Sequence, residues 1–485
     1  MGRTRVLAAC VLLLLAGCSV GPDYHRPVAT PGPAALKELA DWHPAAPREA
    51  APRGAWWSVF DDPVLDALER QVTVTNQTVR AAAAAYDQAR ALVGEAQAGL
   101  LPTLGVAPGV TRSSLNGITG LGGSQLGKAY TQYSLQGSAA WDLDVWGRIR
   151  RQIEAQQAAA EVSAADLANA ALSAQALLAT DYVDLRAADA LAQLLGQTID
   201  AYRRSLAITQ NQYDAGTASR GDVLTADTQL KTAEAQLVGV GVQRAQYEHA
   251  IAVLTGHLPA ALAIAPAPLA ASVPVVPPGV ASTLLERRPD IAAAERGMAA
   301  ANAQIGVAVA AYYPDITLSS ALGFVGAPLS QLFTVANRVW SLGAAASAPL
   351  FEGGLRLATV AAAQAGYDQA VATYRQTVLT AFQQVEDNLA ALRILEQQAV
   401  AEDAAVTAAQ RATDVTLNEY RAGTVVYTAV ILNQTQLLAD QQAALSVQQS
   451  RLLAAVALIQ ALGGGWQKGD LPPPVPFDPL ATLTP

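Results

Sequence analysis

The chain of 485 residues is poor in the side chains that usually carry chemistry. It has two cysteines, Cys10 and Cys18, and four histidines, His25, His43, His249 and His257. His249 and His257 stand eight positions apart with no acidic or cysteine companion at ligand spacing, so no metal site is expected. No Gly-x-Ser-x-Gly, phosphate-binding loop or dinucleotide fingerprint occurs. The expectation is a protein with no catalytic residues and no cofactor.

Cys18 is the one residue in a setting for covalent modification. Arg3 and Arg5 precede an apolar run, Val6 to Ala16, of 11 residues. That run is too short to cross a bilayer and suits a secretory signal. Leu15-Ala16-Gly17-Cys18 closes it and is similar to a bacterial lipobox, in which the cysteine is diacylated and becomes the first mature residue. The expectation is a signal peptide over 1–17 and lipid on Cys18, the alternative being an ordinary signal with an incidental cysteine. Ser19 rather than Asp follows the cysteine, which by resemblance to lipoprotein sorting signals implies outer-membrane delivery. Losing Arg3 and Arg5 takes the net charge from −9 to −11, which excludes nucleic acid as a natural partner and suits a surface or pore that tolerates cations.

The elements that must position everything else announce themselves by repetition. Asn211 to Gly256 and Asn418 to Gly463 share a pattern at an offset of 207 positions, with Ala215-Gly216-Thr217 over Ala422-Gly423-Thr424. Upstream, Gly94 to Leu104 matches Gly306 to Ile316. The chain therefore reads as two similar halves, at 61–270 and 271–465, between a Pro-rich segment at 18–60 and a Pro-rich tail at 466–485. No proline occurs between Pro108 and Pro259 or between Pro349 and Pro472. Within those stretches, segments 149–215 and 355–422 are rich in Ala, Gln, Leu, Arg and Glu, which favours helices of about 100 Å. Leu195, Ile199, Tyr202, Leu206 and Tyr213 are spaced by 4, 3, 4 and 7, which fits the alternating three- and four-residue steps of a coiled-coil heptad. Each long helix ends at Ala-Gly-Thr, where glycine can cap and turn the chain into a return helix over 222–256 or 427–462. The turn serves either as a plain helical hairpin or as a partner contact.

Between the helices the period falls to 2. Tyr133, Leu135, Ala139, Trp141 and Leu143 alternate with polar residues, and Trp340, Leu342, Ala344 and Ala346 alternate with small ones. Strands are expected at about 101–113, 130–146, 314–326 and 338–350, the first weaker because Pro108 interrupts it. Four strands cannot close a barrel in lipid, whereas three copies give twelve. Tyr130, Tyr133, Trp141, Trp146, Tyr312, Tyr313 and Trp340 near the strand ends suit membrane interfaces. The alternative is a small soluble sheet on a helical domain.

The chain resembles the TolC-like outer-membrane factors of the lipidated NodT type. The resemblance rests on the lipobox with Gly21 to Pro27 (GPDYHRP), Trp56-Trp57, Trp141 to Arg148 (WDLDVWGR), Leu284 to Ile291 (LLERRPDI, read as a linker), Pro349 to Gly354 (PLFEGG) and both Ala-Gly-Thr turns. It implies a mainly α homotrimer with a 12-stranded outer-membrane β-barrel continuous with a 12-helix periplasmic α-barrel. Each chain would supply two β-hairpins and two long helical hairpins. It further implies an exit duct for small molecules, served by a periplasmic adaptor and an inner-membrane efflux pump of the resistance-nodulation-division type. A type I secretion or major-facilitator partner is the alternative, and a periplasmic coiled-coil scaffold is the rival from another class. Carried over from the family's tip pattern, Gly216, Ser219 and Asp222 would contact the adaptor, with Gly423 and Thr424 on the second tip. Asp222 reads either as part of an acidic ring or as a helix-start residue. Where several relatives carry aspartates on the second tip, this chain has Ala429 and Leu432, so closure there falls to the apolar Val425, Val426, Tyr427 and Val430. Asp222, Val426 and Tyr427 are the candidate gate. Glu286, Arg287 and Arg288 are expected on a solvated face.

Overall fold

The computed structural model describes residues 19–27, 55–114, 129–274, 287–466 and 468–477. The signal peptide, Cys18, residues 28–54, Glu286 and the end of the tail lie outside the described residues. The described chain runs α1 (Pro63–Thr75), α2 (Gln77–Ala98), β1 (Thr103–Ser114), β2 (Ala129–Leu143), α3 (Arg148–Asp214) and α4 (Arg220–Leu254). It continues through α5 (Pro289–Ala310), β3 (Asp315–Gly326), β4 (Arg338–Ser347), α6 (Leu355–Arg421) and α7 (Tyr427–Ala461).

The long helices α3 and α6 have 67 residues each, and the return helices α4 and α7 have 35 each. At about 1.5 Å per residue each long helix is about 100 Å. Both begin behind a left-handed glycine, Gly147 at φ 82° and Gly354 at φ 90°. A residue with a Cβ is strained in that conformation, so glycine sets the strand-to-helix corner.

Three shorter helices did not stand out in the sequence. Asp62 caps α1 by accepting the Val64 and Leu65 N–H groups, and Asn76 caps α2 through Thr78 and Val79. Helix α5 starts inside the stretch read as a linker. Pro289 takes its first position, where a missing N–H costs nothing. Arg288 corrects the expectation of a solvated face. It is 8% exposed, its Nη1 donates to the Ala461 carbonyl at 2.9 Å, and its Nε and Nη2 hold Asp290 at 3.0 and 2.6 Å. The carbonyl at the end of α7 needs a donor, and the buried guanidinium supplies it.

The four strands form one antiparallel sheet in the order β1-β2-β3-β4. Strand β1 passes through Pro108 without a break, contrary to expectation. It is an edge strand with one neighbour in the chain, where a missing N–H is tolerated. The register aligns side chains by face. Val106, Leu135, Leu322 and Trp340 share one face, and Ala107, Gln136, Gly323 and Val339 share the other. The first face is mostly apolar, with Arg112, Thr131, Ser320 and Arg338 among its polar members, and much of it lies open: Leu104, Val106, Val110, Trp340 and Leu342 are exposed, while Phe333 packs on Phe324. The opposite face carries mostly Thr, Gly, Ser, Gln and Ala.

Below the sheet the helices stand side by side as a wall. Next to the strands the order is α2-α3-α5-α6, and farther away it is α4-α3-α7-α6. One flank of the wall is therefore β1, α2 and α4, and the other is β4 and α6. Midway along, Trp56, Trp57, Leu65, Leu68, Val72, Leu178, Leu185, Val385, Leu389 and Leu458 build the main core. This core fixes both hairpins to α1 and sets where their tips project.

Candidate functional site at the hairpin tips

The two tips share one way of ending a long helix. At the first, Gly216 adopts φ 77° and the Thr217 N–H reaches back to the Gln212 carbonyl at 2.8 Å. At the second, Gly423 adopts φ 74° and the Thr424 N–H reaches the Glu419 carbonyl at 3.0 Å. These are six-to-one bonds that satisfy carbonyls otherwise orphaned at a helix end. Thr217 and Thr424 also bond the same carbonyls through their hydroxyls, at 3.0 and 2.9 Å.

The tips differ in how the return helix begins. Ser219 Oγ accepts the Asp222 N–H at 3.1 Å, and Asp222 Oδ2 accepts the Ser219 N–H at 3.0 Å. This reciprocal pair is a capping box. The second tip starts on Val426, which offers no side-chain cap. Gly216, Ser219, Gly423, Thr424 and Val426 are exposed, Asp222 is half-buried and Tyr427 is buried.

Tyr427 turns away from solvent into the seam between the hairpins. There it packs with Tyr420, Val430 and Ala226, its ring 5.3 Å from that of Tyr420. The Tyr420 hydroxyl meets Thr209 Oγ1 at 3.2 Å, the Gln212 amide donates to the Tyr420 carbonyl at 3.1 Å, and the Gln434 amide donates to Ser205 Oγ at 2.8 Å. Burial pushes the Tyr427 hydroxyl up to about 12, with the neighbouring Tyr420 and Tyr202 hydroxyls and the Asp222 charge adding to the shift. The same two causes, burial and then Asp222, raise Tyr420. Asp222, on the first hairpin, thus lies within electrostatic reach of tyrosines on the second.

The tyrosine seam was not legible as a site. Sequence alignment equates Tyr213 with Tyr420, yet Tyr213 is exposed and Tyr420 buried. The one sequence signal was the apolar run Val425 to Tyr427 after the turn.

Cys18 lies outside the described residues, but its successor is held at the sheet end of the molecule. The Val20 N–H donates to the Trp146 carbonyl at 3.1 Å. Arg151 holds Asp23 at 2.7 Å, Tyr24 reaches Glu295 at 3.3 Å, and Arg26 reaches the Tyr374 hydroxyl at 3.1 Å. Gly21 crosses Gly306 so closely that a Cβ would fall 2.5 Å from the Gly306 Cα. Residues 19–27 thereby strap α3, α5 and α6 together just below the strands.

Four strands with one bare apolar face, continuous with paired helical hairpins and ending in two capped turns, define a membrane-channel subunit. Known proteins agree. A family described as outer membrane efflux protein matches residues 68–257 and 280–464. The chain is 33% identical over 478 residues to the toluene efflux pump outer membrane protein TtgF of Pseudomonas putida, covering 96% of this chain and 97% of that one. It is 30% identical over 471 residues to the pyoverdine export outer membrane protein OpmQ of Pseudomonas aeruginosa, covering 96% and 98%. The solved outer-membrane channel OprN superposes with a TM-score of 0.84 at 32% identity, covering 93% of this chain and 100% of that one. The chain belongs to the outer membrane efflux protein family, and it is an outer-membrane component of an efflux system with the TolC-like channel fold.

Proposed function

We infer that three copies of this chain close into one duct that passes small molecules out of the cell. An inner-membrane pump supplies the energy, and a periplasmic adaptor joins the pump to the hairpin tips. The observation that carries the reading is the sheet. An exposed face of Leu, Val and Trp costs free energy in water and gains it against lipid acyl chains. Both sheet edges carry unpaired backbone groups, which hydrocarbon does not tolerate, so the edges must pair with further copies. The opposite face, of small and hydroxylated residues, then lines a wet lumen. A soluble coiled-coil scaffold has no use for such a sheet.

In this reading Gly216, Ser219, Asp222, Gly423 and Thr424 form the adaptor-facing rim. Asp222 and Val426 narrow the periplasmic mouth, and Tyr427 backs them from within the seam. Three Asp222 carboxylates in a narrow opening favour cations. Lipid on Cys18 anchors the strap at the membrane. The duct does no bond-making chemistry and carries no cofactor, and substrate choice belongs to the pump. Named relatives handle toluene and pyoverdine, so the cargo proposed here is small organic molecules.

Single-channel recording in a planar bilayer tests the reading. Discrete conductance steps with cation preference, weakened in Asp222→Asn, are expected. A purified, membrane-inserted protein that gives no steps overturns it.

A further inference from the structure

The loop that joins β3 to β4, residues 327–337, is folded on itself and leans on the sheet. The Leu332 N–H bonds the Leu329 carbonyl at 3.1 Å, and the Asn337 N–H bonds the Thr334 carbonyl at 3.1 Å. The Asn337 side-chain amide closes the loop by donating to the Gln331 carbonyl at 2.8 Å. Held in this way, the loop rests on the apolar face. Phe333 meets Phe324 edge to face with ring centres 5.4 Å apart, and Leu332 is buried. Between loop and strands runs a groove of about 340 Å³, lined chiefly by Pro108, Val110 and Leu135 on the strand side and Leu329, Leu332 and Phe333 on the loop side. The outer side of the loop is apolar as well, with Leu329, Phe333 and Val335 exposed. A loop made for water carries polar residues at such places.

Charge on this face is confined to one end. Arg112 lies one same-face step beyond Val110, toward the end of β1 that points away from the helices. Arg338 opens β4 at that same end, beside Phe324. Both are exposed. No acidic residue of the four strands falls on this face, and neither arginine has an ion pair among the described residues. The helices run to the periplasm, so this end of the sheet is the outer one.

We propose that the groove seats an acyl chain of a phosphorylated outer-leaflet glycolipid of the lipid A kind, with Arg112 and Arg338 taking its phosphates. An apolar groove gains by exchanging water for hydrocarbon. A guanidinium presents a planar fork that bonds phosphate at two points. Two cations on a face without acids have no counter-charge in this chain, and a lipid with two phosphates and several acyl chains supplies both the charge and the hydrocarbon. A lone arginine at a membrane surface only extends its head to water. Here the closed loop and the groove beneath it add a seat for one molecule. Leu329, Phe333 and Val335 then lie among its remaining chains.

The proposal rests on the reading of this face as lipid-facing, and the test separates the two. The full chain, purified in detergent, is mixed with diphosphoryl lipid A or with phosphatidylglycerol and read by native mass spectrometry. Lipid A should be retained at up to one copy per subunit, under conditions that strip phosphatidylglycerol. Arg112→Ser with Arg338→Ser should weaken that retention roughly tenfold, the scale of two cations at a headgroup. Val110→Trp, which fills the groove and leaves both arginines in place, should weaken it as well. All three positions are exposed, so the trimer peak in the same spectra shows that any loss is not misfolding. Undiminished retention in either variant, or phosphatidylglycerol held as firmly as lipid A, overturns the proposal. If bilayer recordings still show conductance steps, the duct stands without it. A chain that gives neither trimer nor conductance overturns both.

Discussion

Ser219 and Val426 occupy equivalent places in the two tips, and only Ser219 caps the helix it starts. Three positions on, Asp222 completes the box while Ala429 leaves its counterpart open. A lost serine cap costs about 1 kcal/mol. Amide hydrogen exchange should therefore be slower at the start of α4 than at the start of α7. Ser219→Ala should raise exchange at residues 220–223 roughly fivefold, the factor that corresponds to that loss. Val426→Ser with Ala429→Asp should slow exchange on the second tip.

The two sheet faces predict opposite responses to charge. Leu135→Arg puts a cation on the apolar face, which costs about 2–4 kcal/mol near the bilayer midplane. It should sharply reduce the trimer recovered from outer membranes. Gln136→Arg, one residue on and facing the other way, should leave trimer yield near normal and change only ion selectivity.

Glu69 on α1 is fully buried, and among the described residues neither carboxylate oxygen has a hydrogen-bond partner. Burial pushes its pKa up to about 9, against about 4.3 in an unfolded chain. Folding therefore favours the protonated acid. Its contribution is complete below about pH 4.3 and is lost as pH rises through about 9. Glu69→Gln should raise the thermal midpoint at pH 8, change it little at pH 4, and flatten the profile between. Circular dichroism melts across pH check this.

Arg288 ties the start of α5 to the end of α7, and both its partners lose a donor if it is truncated. Arg288→Ala should destabilise by roughly 2–4 kcal/mol, discounted because Asp290 is partly solvated. A lower denaturation midpoint with unchanged single-channel conductance is the expected pair of results.

The sequence made the long elements plain. Over 67 residues, proline-free composition and period leave no competing structure, and strict alternation in β2 leaves none for a strand. Short elements were opaque because their signals are tertiary. Pro108 argues against a strand until β1 is known to be an edge. Pro289 looks like a linker residue until Arg288 is found bonded to a carbonyl 173 positions away. The tips were legible as turns because glycine geometry is local. The Tyr420–Tyr427 seam was not, because it depends on which hairpin lies beside which.

The matched dimensions of the helices carry a last consequence. Two rods of 67 residues stand beside two of 35, each pair equal to the residue. Adding one amino acid to a single rod would turn everything beyond it by about 100° and lift one tip about 1.5 Å out of the common plane. Such a change is not absorbed locally, since neither rod contains a break. A tube of this kind can be lengthened or shortened only by coordinated steps in all its staves. The reach of the tips away from the sheet is thereby held to one value.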